Sequence, residues 1–477
     1  MKKGLLTTGF IFLFFIAFAQ EGHEIKVTLK PFTQGYLYLG HHFGGKQYIV
    51  DSASINSKSE AAFTGKEKLM GGVYMVIFPK KNGWFEMLVD KQQHFSVTSD
   101  TTDIITRTKF EGSPDNTLFQ QYQHLAQEKG KAIQALQKQL ADAPSNPNAT
   151  KQKEEMIRLN NEMQEYRETF VKQHPGHLLT AIFNVLREPK IPDASQHPGG
   201  KYDSVFAYQY YKQHFWDGVS FADERLARTP VFEPKLKRYF STVLPQHPDS
   251  LSREATRIVN ASESNKEMFK VILSILTERY INPEYMGQDA VFVSLFERYY
   301  APGKADYWLN EKYKKAVFDR AYSLMANQIG AKAADMNMVD TLGKQRSLYS
   351  VNAPYTVVCF WDPTCGHCQK EVPLLDSIFH AEWKSRGVQV YGVMTDGGKP
   401  AWLKFIREHN IKDWIHVHQL PEVTQADYDA GRAGYKQLFD VYQTPVLYLL
   451  DKDKNIIAKK LNPAQMNDLL QLKFKAK

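Results

Sequence analysis

Val357-Val358-Cys359-Phe360-Trp361-Asp362-Pro363-Thr364-Cys365-Gly366-His367-Cys368 is the stretch on which the reading of this chain turns. Five apolar residues in a row read as a buried strand, Asp362-Pro363-Thr364 as a turn, and Cys365 as the start of a helix running over 365–386. Unpaired N–H groups and the helix dipole favour an anion at such a start. A thiolate is that anion, so the pKa of Cys365 is expected to fall. Cys368, one helical turn on, can resolve a mixed disulfide with Cys365, and the chemistry read from this pattern is thiol–disulfide exchange.

Competing readings of the pair lack partners. A zinc site needs two further ligands. The third cysteine, Cys359, faces a core from inside the strand, and His416 and His418 read as polar residues of another strand. Covalent haem attachment needs a histidine directly after Cys368, where Gln369 stands. A purely structural disulfide would close too small a loop to add much stability. No metal and no cofactor is therefore expected. A thiol peroxidase reading fails because Pro363-Thr364-Cys365 is too compressed for the Pro-x-x-x-Thr-x-x-Cys pattern.

Outward from this centre, 477 residues suggest about three domains. Residues 1–19 read as a signal peptide: Lys2 and Lys3, an apolar stretch over Leu5 to Phe18, and Ala17-Phe18-Ala19 before Gln20. The apolar stretch is short for a membrane span, and no cysteine at the cleavage point supports a lipid anchor. Removal of two lysines and no acids lowers the net charge from +8 to +6. That mild charge, scattered among acids, carries no nucleic-acid footprint. Three cysteines in an exported chain are too few for a disulfide scaffold. The expected location is the periplasm or cell envelope.

Residues 20–112 alternate in a strand-like way, for instance Ile25-Lys26-Val27-Thr28-Leu29 and Val73-Tyr74-Met75-Val76-Ile77-Phe78. They predict a small antiparallel all-β sandwich or barrel, with His41-His42 in an exposed turn. At Ser113-Pro114 the period becomes helical, and residues 113–328 predict an all-helical domain opened by a long hairpin of two helices, the second over 150–173. Its aromatic density reads as core packing. Residues 329–477 alternate strand and helix, with helices at 400–409, 424–439 and 463–472, and predict a small α/β sheet covered on both faces. The fold class is thus multidomain: β, then α, then α/β.

The last segment resembles the thioredoxin superfamily, in its extracytoplasmic TlpA/ResA-like branch. The resemblance rests on Phe360-Trp361, Cys365-x-x-Cys368, Glu371-Val372-Pro373 and Thr444-Pro445. It implies a thioredoxin fold in which Cys365 attacks, Cys368 resolves, and Pro445 is a cis-proline facing the disulfide. Thr444 is then free to pair with an extended substrate segment, and the implied substrate-facing set is Trp361, Gly366, His367, Thr444 and Pro445. In that branch a carboxylate at the place of Glu371 handles protons at the cysteine pair; a plain solvent-facing glutamate is the alternative, and both stay open. Cys359 stands where many thioredoxins carry a buried aspartate. Gly366-His367 matches the more oxidising protein disulfide isomerases rather than the Gly-Pro of thioredoxin. The three-part layout also resembles exported thioredoxin-like proteins of Bacteroidota, in which the β domain carries an Asp-Ser-Ala run, here Asp51-Ser52-Ala53. The partners implied are protein thiols and disulfides and a membrane-linked electron donor or acceptor. A non-catalytic envelope adaptor with a redox-sensing domain is the competing function.

Overall fold

The computed structural model describes residues 22–143 and 146–475; the predicted signal segment lies outside them. Contacts divide the chain into two units, residues 22–239 with 264–271 and residues 240–263 with 272–475, so the helical stretch is shared between them.

In the first unit, β1 (His23–Lys30), β4 (Glu60–Gly65), β7 (His94–Asp100) and β8 (Lys109–Glu111) form one sheet in the order β4-β1-β7-β8. A second sheet, β3-β2-β5-β6, holds β2 (Tyr36–Phe43), β3 (Lys46–Ser54), β5 (Gly72–Ile77) and β6 (Trp84–Val89). Alternate residues from both sheets, among them Val27, Leu39, Phe63, Val76, Met87 and Val97, share one core, as period-2 strands packed face to face require. The sandwich is not purely antiparallel: β1 runs parallel to β7. That pairing joins the first and last long strands, which local alternation cannot report. His41 and His42 are not in a turn either. Both lie on β2, where His42 is buried with its Nε2 3.2 Å from Glu86 Oε1.

A four-residue turn, α1 (Ile104–Arg107), precedes α2 (Pro114–Asp142) and α3 (Ala149–Gln173), which pair as a long hairpin. Ser113 caps α2 through its Oγ, and Pro114 occupies the first turn. Asn116 in that turn is fully buried; it accepts from Leu88 N at 2.7 Å and donates to Leu88 O at 2.8 Å. The second sheet uses both faces. Val73 and Leu88 point away from the sandwich core into a cluster with Phe119, Tyr122, Phe170 and Phe183. Phe183 belongs to α4 (Leu178–Leu186), a helix that the periodicity did not reveal because its Leu-Leu-Thr-Ala-Ile-Phe-Asn-Val-Leu sequence is apolar nearly all round. Next come α5 (Ser204–His214) and α6 (Phe232–Arg238), then α7 (Pro248–Ser262), which belongs to the second unit, and α8 (Lys266–Ile281).

In the second unit α9 (Asp289–Leu295) and α10 (Glu311–Met325) precede a seven-stranded sheet in the order β10-β9-β13-β12-β11-β14-β15. Its strands are β9 (Asn337–Asp340), β10 (Gln345–Ser347), β11 (Tyr355–Trp361), β12 (Gln389–Met394), β13 (Ile415–His418), β14 (Val446–Asp451) and β15 (Ile456–Lys459). β11 is parallel to β12 and antiparallel to β14. It is buried along its whole length, which accounts for its unbroken apolar run. Cys359, Trp361 and Leu449 face one core and Val358, Phe360 and Tyr448 the other. The helices are α11 (Cys368–Ile378), α12 (Gly398–Glu408), α13 (Pro421–Asp429), α14 (Tyr435–Leu438) and α15 (Pro463–Lys475). The single helix expected over 424–439 is split into α13 and α14, with Gly431 at φ 64° between them. The helix expected over 365–386 starts regularly only at Cys368 and passes through a π turn (Phe379–Trp383) into a 3-10 turn (Lys384–Arg386).

Among the described residues no helix is long and apolar enough to cross a membrane.

Candidate functional site

The site begins where β11 runs out. Asp362 folds the following turn: its Oδ1 accepts from Thr364 N and from Thr364 Oγ1, both at 2.7 Å, and its carbonyl accepts from Cys365 N at 3.2 Å. Helical bonding then starts with Gln369 N to Cys365 O at 3.0 Å and Glu371 N to His367 O at 2.9 Å. Cys365 therefore sits one turn ahead of α11, partly exposed, with Gly366 and His367 exposed beside it. Cys368 opens the helix and is buried, and Asp362 N points at its Sγ from 3.4 Å.

The loop before β14 closes over this pair. Its Thr444-Pro445 peptide is cis, and Cys365 Sγ donates to Thr444 O at 3.5 Å. The two thiols are driven apart electrostatically. Cys365 is held below the ordinary thiol range, chiefly by the Cys368 backbone N–H and next by the Thr444 side chain. Cys368 is pushed up to about 11, burial being the main cause. Cys359 lies wholly buried on β11, and burial raises its thiol well above the ordinary range, with a smaller contribution from Cys368.

Trp361 is a correction to the substrate-facing set. It is 0 % exposed, packed against Phe405 and near His416, so it supports the site from below and has no surface to offer a client. Gly366, His367, Thr444 and Pro445 retain accessible surface. Glu371, half-buried in the first turn of α11, lines a groove of about 680 Å³ together with His367, Thr444 and Pro445. His416 lies on strand β13, as read from the sequence, and is buried there. Its ring stacks on Trp414, its Nε2 is 2.5 Å from Ile411 O, and burial lowers its pKa to about 4.

The sequence reading missed one cluster. The same groove is lined by Arg320, Asp440 and Lys460. Asp440 is wholly buried at the side chain and receives Arg320 Nη1, Lys460 Nζ and Ser323 Oγ. Burial pushes its carboxyl up, but Lys460 and Arg320 outweigh it and hold the carboxyl below its ordinary value. The signal available was a lone acid in the apolar run Phe439-Asp440-Val441. Among the described residues no group of three or more His, Cys, Asp and Glu side chains is arranged to hold a metal ion.

A mixed sheet with helices on both faces, two cysteines at the end of its central strand and a cis-proline opposite them define a thioredoxin-like domain. Residues 329–459 match the AhpC/TSA family, and this C-terminal part of the chain is a thioredoxin-like domain of thiol–disulfide oxidoreductase type. Residues 136–322 and 23–119 each match a domain of unknown function, DUF5106 and DUF4369. The thiol-disulfide oxidoreductase ResA of a Bacillus cereus strain is 22 % identical over 132 residues, 28 % of this chain and 69 % of that protein. ResA of Bacillus anthracis is 23 % identical over 130 residues, 27 % of this chain and 68 % of that one. Among solved structures, a domain of a possible thiol-disulfide isomerase from Cytophaga hutchinsonii is 38 % identical, covering 31 % of this chain and 94 % of its own at a TM-score of 0.27. A thioredoxin-like protein from Bacteroides caccae is 22 % identical, covering 59 % of this chain and 98 % of its own at a TM-score of 0.45.

Proposed function

We propose that this chain is an exported thiol–disulfide oxidoreductase that exchanges disulfides with protein substrates through Cys365-Gly366-His367-Cys368. The observation that carries the reading is the asymmetry of the pair: an accessible, acidified Cys365 beside a buried Cys368 pushed up to about 11. In the reducing direction the Cys365 thiolate attacks a client disulfide. A Cys365–client S–S bond forms and one client sulfur leaves as thiolate. Cys368 then loses its proton and attacks Cys365 Sγ, which forms the internal disulfide and releases the second client thiolate. Two electrons pass from the pair to the client, so no cofactor is required.

Burial keeps Cys368 protonated until the mixed disulfide forms, so a base is needed at the second step. Glu371, lining the same groove one turn on, is the residue we assign to it. Thr444 and Pro445 would lie along an extended client, with Gly366 and His367 flanking its sulfur. The signal segment 1–19 would direct the chain to the periplasm or envelope, where a membrane-linked donor or acceptor resets the pair. Residues 20–112 and 113–328 would serve as separate β and helical parts ahead of the redox domain at 329–477.

The reduction potential tests this reading, measured by equilibrating the mature chain in glutathione buffers and alkylating the remaining thiols for mass analysis. His367 between the cysteines stabilises the reduced thiolate when protonated. The expected value therefore lies between about −270 mV, typical of thioredoxin, and about −180 mV, typical of protein disulfide isomerase. The isomerase end of that range indicates isomerisation or oxidation of folding proteins. A value below thioredoxin's contradicts the role given to His367 and indicates a reductant. Failure to form any reversible disulfide removes the catalytic reading.

A further inference from the structure

We propose that the groove beside the cysteine pair selects client segments carrying an acidic residue about three positions from the reacting cysteine, through Lys460. This rests on the exchange function proposed above and names the clients it favours. Asp440 is a single buried negative charge that receives two cations, Arg320 and Lys460. One positive charge is left over. The two cations hold it unequally. Arg320 is mostly buried and also donates to Ile281 O at 3.2 Å and to Asn282 Oδ1 at 2.9 Å. Lys460 keeps 42 % of its side chain exposed and lines the groove. The uncompensated charge is therefore offered to the groove at Lys460.

Its place along the groove follows from the backbone. Lys460 N donates to Leu447 O at 2.7 Å. Leu447 is three residues beyond Thr444, whose carbonyl touches Cys365 Sγ. At roughly 3.3 Å per residue of extended chain, that offset is about 10 Å. A client residue three positions from the cysteine spans a similar length, which puts it within reach of the Lys460 side chain on the groove lining. The groove lining carries charges of both signs, Glu371 and Lys460 among them. A carboxylate at the third position meets a cation, and a lysine there meets a like charge. Lys460 is also held at φ +59° and Asp440 at φ +51°, conformations that side chains other than Gly, Asn and Asp seldom adopt. Only Lys460 of the pair is thus in an unusual conformation, held there by its surroundings, as at other sites where strain is retained.

The test uses the full mature chain carrying Cys368→Ser, reduced, so that reaction stops at the mixed disulfide. Two extended peptides differ only in Glu or Lys three residues from their one cysteine, which is capped as a disulfide to 2-nitro-5-thiobenzoate. Cys365 attacks the peptide sulfur, the peptide–Cys365 bond forms, and the coloured thiolate leaves. The Glu peptide is expected to react faster by roughly threefold or more, the range of a partly exposed ion pair, and the preference should fade towards 1 M salt. Lys460→Asn, which tolerates the left-handed backbone, should abolish the preference. Lys460→Asp should reverse it, and Lys460→Arg should keep it. Neutral 4,4′-dithiodipyridine reports whether the thiol is competent at all. Equal rates for the two peptides with a competent thiol overturn the proposal and leave the exchange function standing. A preference that survives Lys460→Asn also overturns it. An inert thiol removes both.

Discussion

Cys365 Sγ and Thr444 O, separated by 79 residues of sequence, lie 3.5 Å apart across the mouth of the groove. The contact sets two influences against each other at one sulfur. A carbonyl acceptor favours the S–H form, whereas the N–H of Cys368 and the Thr444 side chain favour the thiolate and prevail. In the exchange proposed above, that carbonyl would accept from a backbone N–H of the client, which would remove the acceptor that stabilises the protonated thiol.

The first prediction concerns thiol reactivity. Iodoacetamide labelling of the reduced chain, resolved residue by residue, should modify Cys365 first. Its rate should reach half-maximum below the ordinary cysteine value of about 8.5 and flatten above it, because the thiolate is the nucleophile. Cys368, pushed up to about 11 and buried, and Cys359, buried still deeper, should lag at neutral pH by at least about a hundredfold. Comparable labelling of Cys365 and Cys368 in the native state would sink the division of roles.

A second prediction follows from His416. Burial lowers its pKa to about 4, against about 6.5 in the unfolded chain. Between these values the unfolded state binds the extra proton and the folded state does not. Stability contributed by the neutral ring is therefore present above pH 6.5 and is lost as pH falls towards 4, by about 3 kcal/mol over the whole window. Urea denaturation at pH 7 and at pH 4.5 should show the loss. His416→Gln, which cannot take a proton, should flatten that part of the profile while lowering stability at both values.

The strand, turn and helix start that carry the two cysteines were legible because their signals are local. An unbroken apolar run reads as a central strand, Asp362-Pro363-Thr364 as a turn, and the two cysteines fall directly after it. What escaped the sequence is what depends on distant partners. The β1–β7 pairing is parallel because strands some 70 residues apart meet, as Glu24 does His94. Asp440 reads as an ordinary acid until Arg320, 120 residues away, and Lys460, 20 residues away, arrive at it. Trp361 entered the substrate-facing set through the family resemblance, yet its position in the pleat of β11 turns it inward beside Cys359 and Leu449. The helix α4 was hidden by excess of apolar residues, since a helix buried on most sides has no polar stripe to give it a period.

A third prediction tests the joint between the second sheet and α2. Asn116 supplies both an acceptor and a donor to the backbone of Leu88, in the place a neighbouring strand would occupy at the edge of β6. Asn116→Ala leaves a buried N–H and a buried C=O without these partners and should cost about 2–5 kcal/mol. Asn116→Asp keeps the acceptor, loses the donor and puts a carboxylate against Leu88 O, so it should be no less harmful at neutral pH. Thermal melts of the two variants check this; near-native stability of Asn116→Ala would mean that the bonds to Leu88 contribute little.

The last prediction concerns Lys459, the residue before the groove lysine. Its ammonium is 4 % exposed and bonds to Asp289 Oδ2 at 2.7 Å, Asn327 O at 2.8 Å and Asn327 Oδ1 at 2.7 Å. Asp289 keeps one further donor, Gln328 Nε2, at 2.7 Å. Burial lowers the pKa of Lys459, and the carboxylate opposes that shift only in part. Lys459→Met strands the carboxylate in a dry site and should cost about 3–5 kcal/mol, whereas pairing it with Asp289→Leu removes the stranded charge and should recover more than half of that loss. The same polar knot ties Asn327 Nδ2 to Leu438 O at 3.0 Å, two residues before Asp440. Lys459→Met should therefore weaken the discrimination between acidic and basic peptides as well as the stability, while exchange with neutral 4,4′-dithiodipyridine, which needs only the cysteine loop, stays near the wild-type rate in the fraction that remains folded.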